Sequence, residues 1–252
     1  MEKMRKPFQG VLNIVRFNWH FYVLSAGLLV GLFLLTDLIA GFLPGYLYGI
    51  CFLVIGLNVT SLAVSYYVYD LSGLYDFDWL KVLKTEKRIV NISAGFDESS
   101  ALLKNRFKGV ELVVLDFYDP LKHTEISIKR ARKAYPAYDG TQQVKTVNLG
   151  LEDNSADKIL VLLSAHEIRD EEERVTFFKE LKRVIRADGQ IFIVEHLRDR
   201  ANFLAYNVGF FHFYSKSVWL RTFRDAQLHI RQEIKLTPFI STFILEKNGN
   251  TL

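Results

Sequence analysis

Two pairs of histidine and glutamate follow apolar runs in the second half of the chain. His166 and Glu167 come directly after KILVLLSA, and Glu195 and His196 end the run QIFIVEH. A positioned histidine can take a proton from a reacting group near neutral pH, and a neighbouring carboxylate can orient the ring or bind a polar ligand. We therefore expect catalytic roles for His166 and His196. Glu167 and Glu195 are expected to bind substrate, with hydrogen-bonded structural histidines as the alternative for both pairs.

An aromatic segment, residues 196–219, carries a further histidine, His212. The rings around it belong to Tyr206, Phe210, Phe211, Phe213 and Tyr214. Such a segment can line an apolar pocket, dip into a membrane as a lid, or pack as a helix on the edge of a sheet. We expect Tyr206 and His212 to contact the substrate. No metal ion is expected, because the spacing of the histidines and glutamates does not single out a metal site.

The elements that must position these residues alternate between strand and helix patterns from about residue 85. The runs RIVNIS, VELVVLD, QVKTVNL, KILVLLSA and QIFIVEHL predict strands at 88–93, 110–116, 143–149, 158–165 and 190–197. Amphipathic stretches between and after them predict helices at 97–107, 123–135, 171–187 and 217–228. HIRQEIKL and ISTFILEKN predict a closing antiparallel pair. This alternation indicates an α/β fold with a parallel sheet, which binds ligands beyond the carboxyl ends of its strands.

Two stretches carry a resemblance to a known family. LEDNSADKILVLLSAHEI looks like an acid-rich turn followed by a fourth strand, and FFKELKRVIRADGQIFIVEH looks like a long helix, a tight turn and a fifth strand. With the reversed last strand, this order resembles class I S-adenosylmethionine-dependent methyltransferases over residues 85–247. The resemblance implies a Rossmann-like sheet and S-adenosylmethionine as the cofactor. A nicotinamide-dependent oxidoreductase is a weaker alternative, since such domains normally lack the reversed strand.

The resemblance implies a cofactor loop after the first strand, where the family has an acid and three alternating glycines. Here Asn91 stands in place of the acid, Ser93 and Asp97 in place of two glycines, and only Gly95 matches. Glycine lets the backbone approach a ligand closely, and Ser93 is small enough to serve similarly. Asp97 offers an acceptor for the ammonium group of the cofactor. The alternative is a loop that no longer binds anything.

Further cofactor contacts are implied at three strand ends. Asp116 matches the family's acid at the end of the second strand, whose two oxygens accept hydrogen bonds from the ribose hydroxyls. Phe117 is expected to stack on the adenine, and Asn148 to lie near its amino group. Ser164, at the end of the fourth strand, completes the expected cofactor-binding set. The alternative for Asp116 is a turn residue that caps the exit of its strand.

Residues 1–69 differ sharply from the rest in composition. Between residues 17 and 69 the one formally charged residue is Asp37, whereas the whole chain has 32 Lys and Arg and 28 Asp and Glu. The runs 21–43 and 46–68 are each long enough to cross the ~30 Å hydrocarbon layer as a helix. Pro44-Gly45 between them predicts a tight turn. We expect a transmembrane hairpin, with a signal peptide, a buried soluble helical pair or a re-entrant hairpin as alternatives.

Flanking charge predicts the orientation of this hairpin. Bases precede it and follow it, whereas the Pro-Gly turn carries none: Lys3, Arg5, Lys6 and Arg16 before, and Lys81, Lys84, Lys87 and Arg88 after. The positive-inside rule then puts both termini in the cytoplasm. Residues 70–84 are expected to form an interfacial linker, and residues 85–252 the methyltransferase-like domain. Their near-balanced charge argues against a nucleic-acid partner.

The sequence therefore predicts a membrane-anchored methyltransferase whose partners are the lipid bilayer and an amphipathic small-molecule acceptor. The anchor would hold the active site at the bilayer surface, where confinement raises the effective concentration of such an acceptor. The alternative is a non-catalytic, membrane-tethered binding or scaffold module. An open cleft between Gly95 and Asp116 would favour the enzyme, and a cleft filled by Phe96 or Phe117 would favour the module.

Overall fold

The computed structural model describes residues 5–39 and 43–248. Its strands are β1 (Arg88–Ser93), β2 (Glu111–Asp116), β3 (Gln142–Gln143), β4 (Ala156–Leu162), β5 (Ile185–His196), β6 (His229–Thr237) and β7 (Ile240–Glu246). They form one seven-stranded sheet in the order β3-β2-β1-β4-β5-β7-β6. Strands β1 to β5 are parallel, and β7 is antiparallel to both of its neighbours. The Rossmann-like sheet and its closing antiparallel pair are thus confirmed.

The α-helices are α1 (Gln9–Phe17), α2 (Trp19–Leu38), α3 (Leu43–Tyr66), α4 (Ser100–Arg106), α5 (Ile126–Ala134), α6 (Glu171–Val184), α7 (Arg200–Tyr206) and α8 (Lys216–Asp225). Helix α6 illustrates how side chains at the two ends of a helix determine where it begins and ends. The Asp170 side chain accepts the backbone N–H of Glu173, and three glutamates fill the first turn. Lys182 and Arg183 fill the last turn, so charge opposes the helix dipole at both ends.

Helices α2 and α3 pack against each other as the expected helical hairpin. Asn58 Nδ2 donates to Ser25 Oγ across the pair at 2.9 Å, and most apolar side chains of the hairpin face outwards. By length and composition both helices can cross a membrane. The predicted Pro44-Gly45 turn is wrong, because Pro44 lies in the first turn of α3, where its missing N–H costs no hydrogen bond. The connection comes earlier, and residues 40–42 lie outside the described part of the chain.

The sheet has a hydrophobic core on each face. Helices α6 and α8 cover one face with Phe177, Phe178, Trp219 and Phe223, all fully buried. The opposite face is covered by α4 and by part of the segment that was expected to be an interfacial linker.

That segment, residues 70–84, belongs to the folded domain. Leu74, Phe77 and Leu80 are at most 3% exposed and join Phe192 and Val194 of β5 in the second core. Burying such side chains contributes roughly 1.5–3 kcal/mol each, which ties the segment firmly to the sheet. The expectation that residues 70–84 lie on the membrane is therefore corrected.

The third predicted strand, 143–149, is also wrong in extent. Only Gln142 and Gln143 pair with β2. Lys145 and Asn148 then bond to each other through their backbones and close a tight turn. Thr146 and Leu149 are buried beside this turn, so the segment packs on the domain without continuing the sheet.

Candidate active site

The carboxyl ends of β1, β4 and β5 open into a cavity of about 230 Å³. On the side of the sheet it is lined by Ser93, Phe96, His166 and His196. The opposite wall comes from α1 and from two tyrosines, through Gly10, Asn13, Ile14, Phe17, Asn18, Tyr69 and Tyr75. The cavity therefore lies between two walls. One is formed by the strand ends that carry His166 and His196, and the other includes α1, which leads into the apolar hairpin.

Helix α1 is anchored at its start by Asp70. The two carboxylate oxygens accept the backbone N–H groups of Gly10 and Val11, each at 2.8 Å. Phe8, at the N-cap, has no side chain that can cap the helix. Asp70 thus supplies, from 60 residues away, the acceptors that a first helical turn needs.

Glu98 holds α1 against the cofactor loop. Its Oε1 accepts from Gln9 Nε2 at 2.9 Å and from Asn13 Nδ2 at 3.0 Å. The ring of Phe17 meets that of Phe96 edge to face, with centroids 5.4 Å apart. These contacts make α1 the cover of the cavity, a role the sequence analysis missed because charge and hydropathy mark only the hairpin beyond it.

His196 is a neutral imidazole whose tautomer its neighbours determine. Asn202 Nδ2 donates to Asp199 and to the carbonyl of Phe239, which leaves Asn202 Oδ1 facing the ring. His196 Nδ1 lies 3.0 Å from both Asn202 Oδ1 and Phe239 O, so it carries the proton. Nε2 then accepts from the hydroxyl of Tyr69 at 2.8 Å, on the cavity side. Burial lowers the pKa of His196 to about 4.

His166 has a different environment, since both of its ring nitrogens face carboxylates. Nδ1 lies 2.6 Å from Glu195 Oε2, and Nε2 lies 3.4 Å from Glu167 Oε1. Burial opposes a charge on the ring, but the two carboxylates more than offset it and raise the pKa of His166 to about 10. Glu195 is completely buried at the end of β5, so it orients this imidazole and does not reach the cavity.

The remaining expected substrate residues lie beside the cavity wall. His212 ends a short 3-10 helix, Asn207–His212, and its Nε2 lies 3.5 Å from Glu167 Oε1. The ring of Tyr206 packs on His196 at 5.0 Å, and its buried hydroxyl has no hydrogen-bond partner among the described residues. Neither side chain lines the cavity directly.

The loop after β1 is held together by its own polar groups. Asn91 Nδ2 donates to the hydroxyls of Ser99 and Ser100, each at 2.8 Å. Asp97 Oδ1 accepts the backbone N–H groups of the same two serines and so starts α4. Asp97 Oδ2 is buried and has no hydrogen-bond partner within the described chain. An unpaired buried acceptor at this loop suits a cationic ligand group.

Asp116 stands at the expected place, and its carboxylate already accepts three hydrogen bonds from the chain itself. Oδ1 accepts the backbone N–H of Tyr118 at 2.9 Å. Oδ2 accepts from Arg132 Nη1 at 2.6 Å and from Gln143 Nε2 at 2.8 Å. Gly95 has φ +94°, and a Cβ there would come within 3.0 Å of the Tyr118 ring and of Arg132. The cleft between Gly95 and Asp116 is therefore filled, although not by Phe96 or Phe117.

Three other expected cofactor residues lie in other surroundings. The Phe117 ring packs on Phe177 in the core and is 3% exposed, which corrects its expected place on the adenine. Asn148 is exposed, and its Oδ1 accepts the backbone N–H of Gly150. Ser164 is buried, and its hydroxyl donates to a backbone carbonyl of β1 at 3.2 Å.

The residues around the cavity suit the methionine end of S-adenosylmethionine better than its ribose. The cavity, the loop from Ser93 to Asp97 and the unpaired Asp97 oxygen suit the methionine end. Asp116 suits the ribose by residue type and position, provided that the guanidinium of Arg132 leaves its Oδ2. The Arg132 side chain is one-third exposed and reaches Asp116 from α5, so rotation of this flexible chain frees the carboxylate.

Comparisons with known proteins agree with this fold. The family model described as a methyltransferase domain matches residues 90–193. A chain from the complex of the Haloferax volcanii Trm112 methyltransferase activator is 13% identical, with a TM-score of 0.52 over 73% of this chain and 92% of that one. A SAM-dependent methyltransferase from Aquifex aeolicus is 18% identical, with a TM-score of 0.49 over 72% and 95%. Among curated proteins, none matches the sequence.

The family match runs from β1 into β5 and covers the cofactor loop, Asp116 and the His166–Glu167 pair; Glu195 and His196 lie just beyond it. The solved structure from the Haloferax volcanii complex shares the fold, and the reversed β7 distinguishes this sheet from a nicotinamide-binding one. Residues 90–193 match the methyltransferase-domain family, and the sheet that contains them has the Rossmann-like methyltransferase fold.

Proposed function

We propose that this protein transfers a methyl group from S-adenosylmethionine to an amphipathic, membrane-associated acceptor at the cytoplasmic face of a bilayer. One observation carries the proposal: the cavity at the strand ends has α1 as its second wall, and α1 leads at Asn18 straight into the apolar helix α2. An acceptor that is anchored in the bilayer beside α2 has the shortest route to this cavity.

The hairpin supports a membrane location. Its two helices present large apolar side chains outwards along their length, among them Phe21, Leu24, Phe33, Phe52, Leu53 and Val59. A soluble protein rarely exposes a continuous apolar surface of this size. The bases on both flanks of the hairpin support cytoplasmic termini.

The aromatic segment after β5 adds a second apolar surface on the same side. Helix α7 packs against α3, the second helix of the hairpin. Phe203, Leu204, Val208 and Phe211 are 50–80% exposed on α7 and the 3-10 turn that follows. This exposure beside the hairpin supports the interpretation of the segment as one that dips into the membrane surface.

The chemistry that the chain can supply is mainly positioning and proton removal. S-adenosylmethionine provides an electrophilic methyl group on a sulfonium centre. The loop from Ser93 to Asp97 would bind its amino-acid end, and Asp116 its ribose. The cavity would hold the acceptor in line with the methyl group, which is the principal source of rate in such a displacement.

His196 is the better placed of the two expected bases. Its Nε2 lone pair is directed to the cavity side, and Tyr69 donates to it there. An acceptor hydroxyl or amine that displaces Tyr69, or bonds to it, can pass its proton to Nε2. His166 has both ring nitrogens on carboxylates and is better suited to hold Glu167 and Glu195 in place.

Calorimetric titration of the full-length protein in detergent with S-adenosylhomocysteine separates this function from a non-catalytic module. We expect saturable binding at one site, weakened at least tenfold in Asp116→Asn. A folded protein that binds neither S-adenosylhomocysteine nor S-adenosylmethionine would support the module instead.

Comparison of the lipids of cells with and without the gene then tests the acceptor class. We expect at least one lipid to gain the mass of a methylene group when the gene is present. A change confined to water-soluble metabolites would contradict a membrane acceptor while leaving methyl transfer intact.

A further inference from the structure

Two histidines on different elements converge on one carboxylate oxygen next to the cavity. His166 Nε2 lies 3.4 Å from Glu167 Oε1, and His212 Nε2 lies 3.5 Å from the same atom. The three donor atoms lie within 4.8 Å of one another. Four ligands around a zinc ion, at bond lengths of 2.0–2.1 Å, are about 3.4 Å apart, which matches the two histidine–glutamate distances.

The other nitrogen of each ring is bound to a second carboxylate. His166 Nδ1 lies 2.6 Å from the fully buried Glu195, and His212 Nδ1 lies 2.9 Å from Glu125. Metal-binding histidines characteristically donate Nδ1–H to a carboxylate, which fixes the tautomer and directs the Nε2 lone pair at the ion. Here each ring has its Nδ1 beside a second carboxylate, and both Nε2 atoms lie within 3.5 Å of Glu167 Oε1.

The carboxylates around the two histidines also favour the binding of a cation. Glu125, Glu167 and Glu195 surround two imidazoles, and the nearby basic side chain is Arg169. Its guanidinium lies against the His212 ring, 2.5 Å from Nδ1 and 2.9 Å from Nε2, and 3.8 Å from Glu125. A divalent ion would take the place of the proton on His166, and three carboxylates with one arginine would then leave two negative charges for the ion to balance. The Arg169 side chain is 42% exposed, and a bound ion would have to displace it from the His212 ring.

We propose that His166, Glu167 and His212 bind a divalent transition-metal ion, with Glu195 and Glu125 as the residues that orient the two histidines. Two imidazole nitrogens and one carboxylate oxygen form the donor set of zinc sites that keep a fourth position for water or substrate. His166 also lines the cavity, so this position lies at the acceptor end of the site. The proposal is independent of which acceptor is methylated.

Titration of the chelator-treated, full-length protein in detergent with Co²⁺ tests this site. We expect one ion per chain, with the visible absorption of a four-coordinate Co²⁺ centre, and displacement of that absorption by Zn²⁺. His212→Gln and Glu167→Gln should abolish the absorption, whereas His229→Gln, at an exposed histidine outside the cluster, should not. Absence of stoichiometric Co²⁺ binding, or equal binding in all variants, would overturn the proposal.

Two surface variants keep the test valid if a ligand variant fails to fold. Glu125→Gln should weaken Co²⁺ binding roughly 10- to 100-fold, because Glu125 orients His212 without being a ligand. Arg169→Gln should tighten it, because the guanidinium no longer competes for His212. Affinities equal to that of the unmodified protein in both variants would contradict the arrangement.

Discussion

At the residue scale, Arg132 determines how the cofactor site is occupied. Its guanidinium bonds to Asp116 at 2.6 Å and lies over the Tyr118 ring at 4.2 Å. It therefore takes the place on the carboxylate that we assign to a ribose hydroxyl. The sequence predicted Asp116 from its position at a strand end, but it did not predict this partner, because Arg132 comes from a helix 16 residues further along.

The first prediction concerns this ion pair. Arg132→Met should tighten the binding of S-adenosylhomocysteine about fivefold, the equivalent of ~1 kcal/mol, since the ribose no longer has to displace a one-third-exposed guanidinium. Calorimetry of the full-length protein measures the change. Lys133→Met, at the exposed neighbouring position, is the matched control and should bind as before. Weaker or unchanged binding in Arg132→Met would refute the competition.

The second prediction follows from the buried, neutral His196. Its pKa is about 4 in the folded protein and 6.5 as the ordinary value, so between these pH values the unfolded chain binds a proton that the folded chain does not. Stability from this residue is complete above pH 6.5 and falls by up to roughly 3 kcal/mol as the pH drops to 4.

Denaturant unfolding in detergent at a series of pH values measures this loss. His196→Gln should flatten the pH dependence between 6.5 and 4, whereas His229→Gln, at an exposed histidine, should retain it. Identical pH profiles for His196→Gln and the unmodified protein would show that His196 is not buried in its neutral form.

At the element scale, α1 and the segment after α3 form the second wall of the active-site cavity. The sequence predicted the hairpin and most of the sheet, because those depend on local periodicity and on the length of apolar runs. It did not predict α1 as a cover, nor Leu74, Phe77 and Leu80 as core. Their roles come from contacts with residues far away in the chain, such as Glu98 and Phe192.

The third prediction tests the attachment of α1. Asp70→Ala removes the acceptors for the first turn and should cost about 1 kcal/mol of local stability. The amides of residues 9–17 should then exchange with solvent roughly fivefold faster, as hydrogen-exchange mass spectrometry can measure. Asp76→Ala, at an exposed acid of the same segment, is the control. Unchanged exchange in Asp70→Ala would mean that this carboxylate does not hold α1.

At the scale of the whole molecule, two exposed apolar surfaces adjoin each other. One is the outer surface of the α2–α3 hairpin, and the other is the aromatic segment from α7 to His212. The sequence predicted this segment by its aromatic content and could not decide between a lid, a pocket wall and a packed helix. The structure places the segment beside the hairpin through the contact between α7 and α3, which is a tertiary contact that composition does not encode.

The fourth prediction places that segment against lipid. A nitroxide attached at Phe211→Cys, in a Cys51→Ser background and in lipid nanodiscs, should relax faster with oxygen than with a water-soluble nickel complex. A label at Val147→Cys, an exposed position on the turn after β3, should show the opposite preference. Preferential access of the nickel complex to position 211 would place the segment in water.

The measurement that tests the account most directly follows a labelled methyl group to its acceptor. Membranes that contain the full-length protein are incubated with methyl-labelled S-adenosylmethionine and extracted with organic solvent. We predict label in the organic phase that is lost in Asp116→Asn and strongly reduced in His196→Gln. Label that appears only in the aqueous phase, or equally with the Asp116→Asn variant, would contradict a methyltransferase that acts on a membrane-associated acceptor.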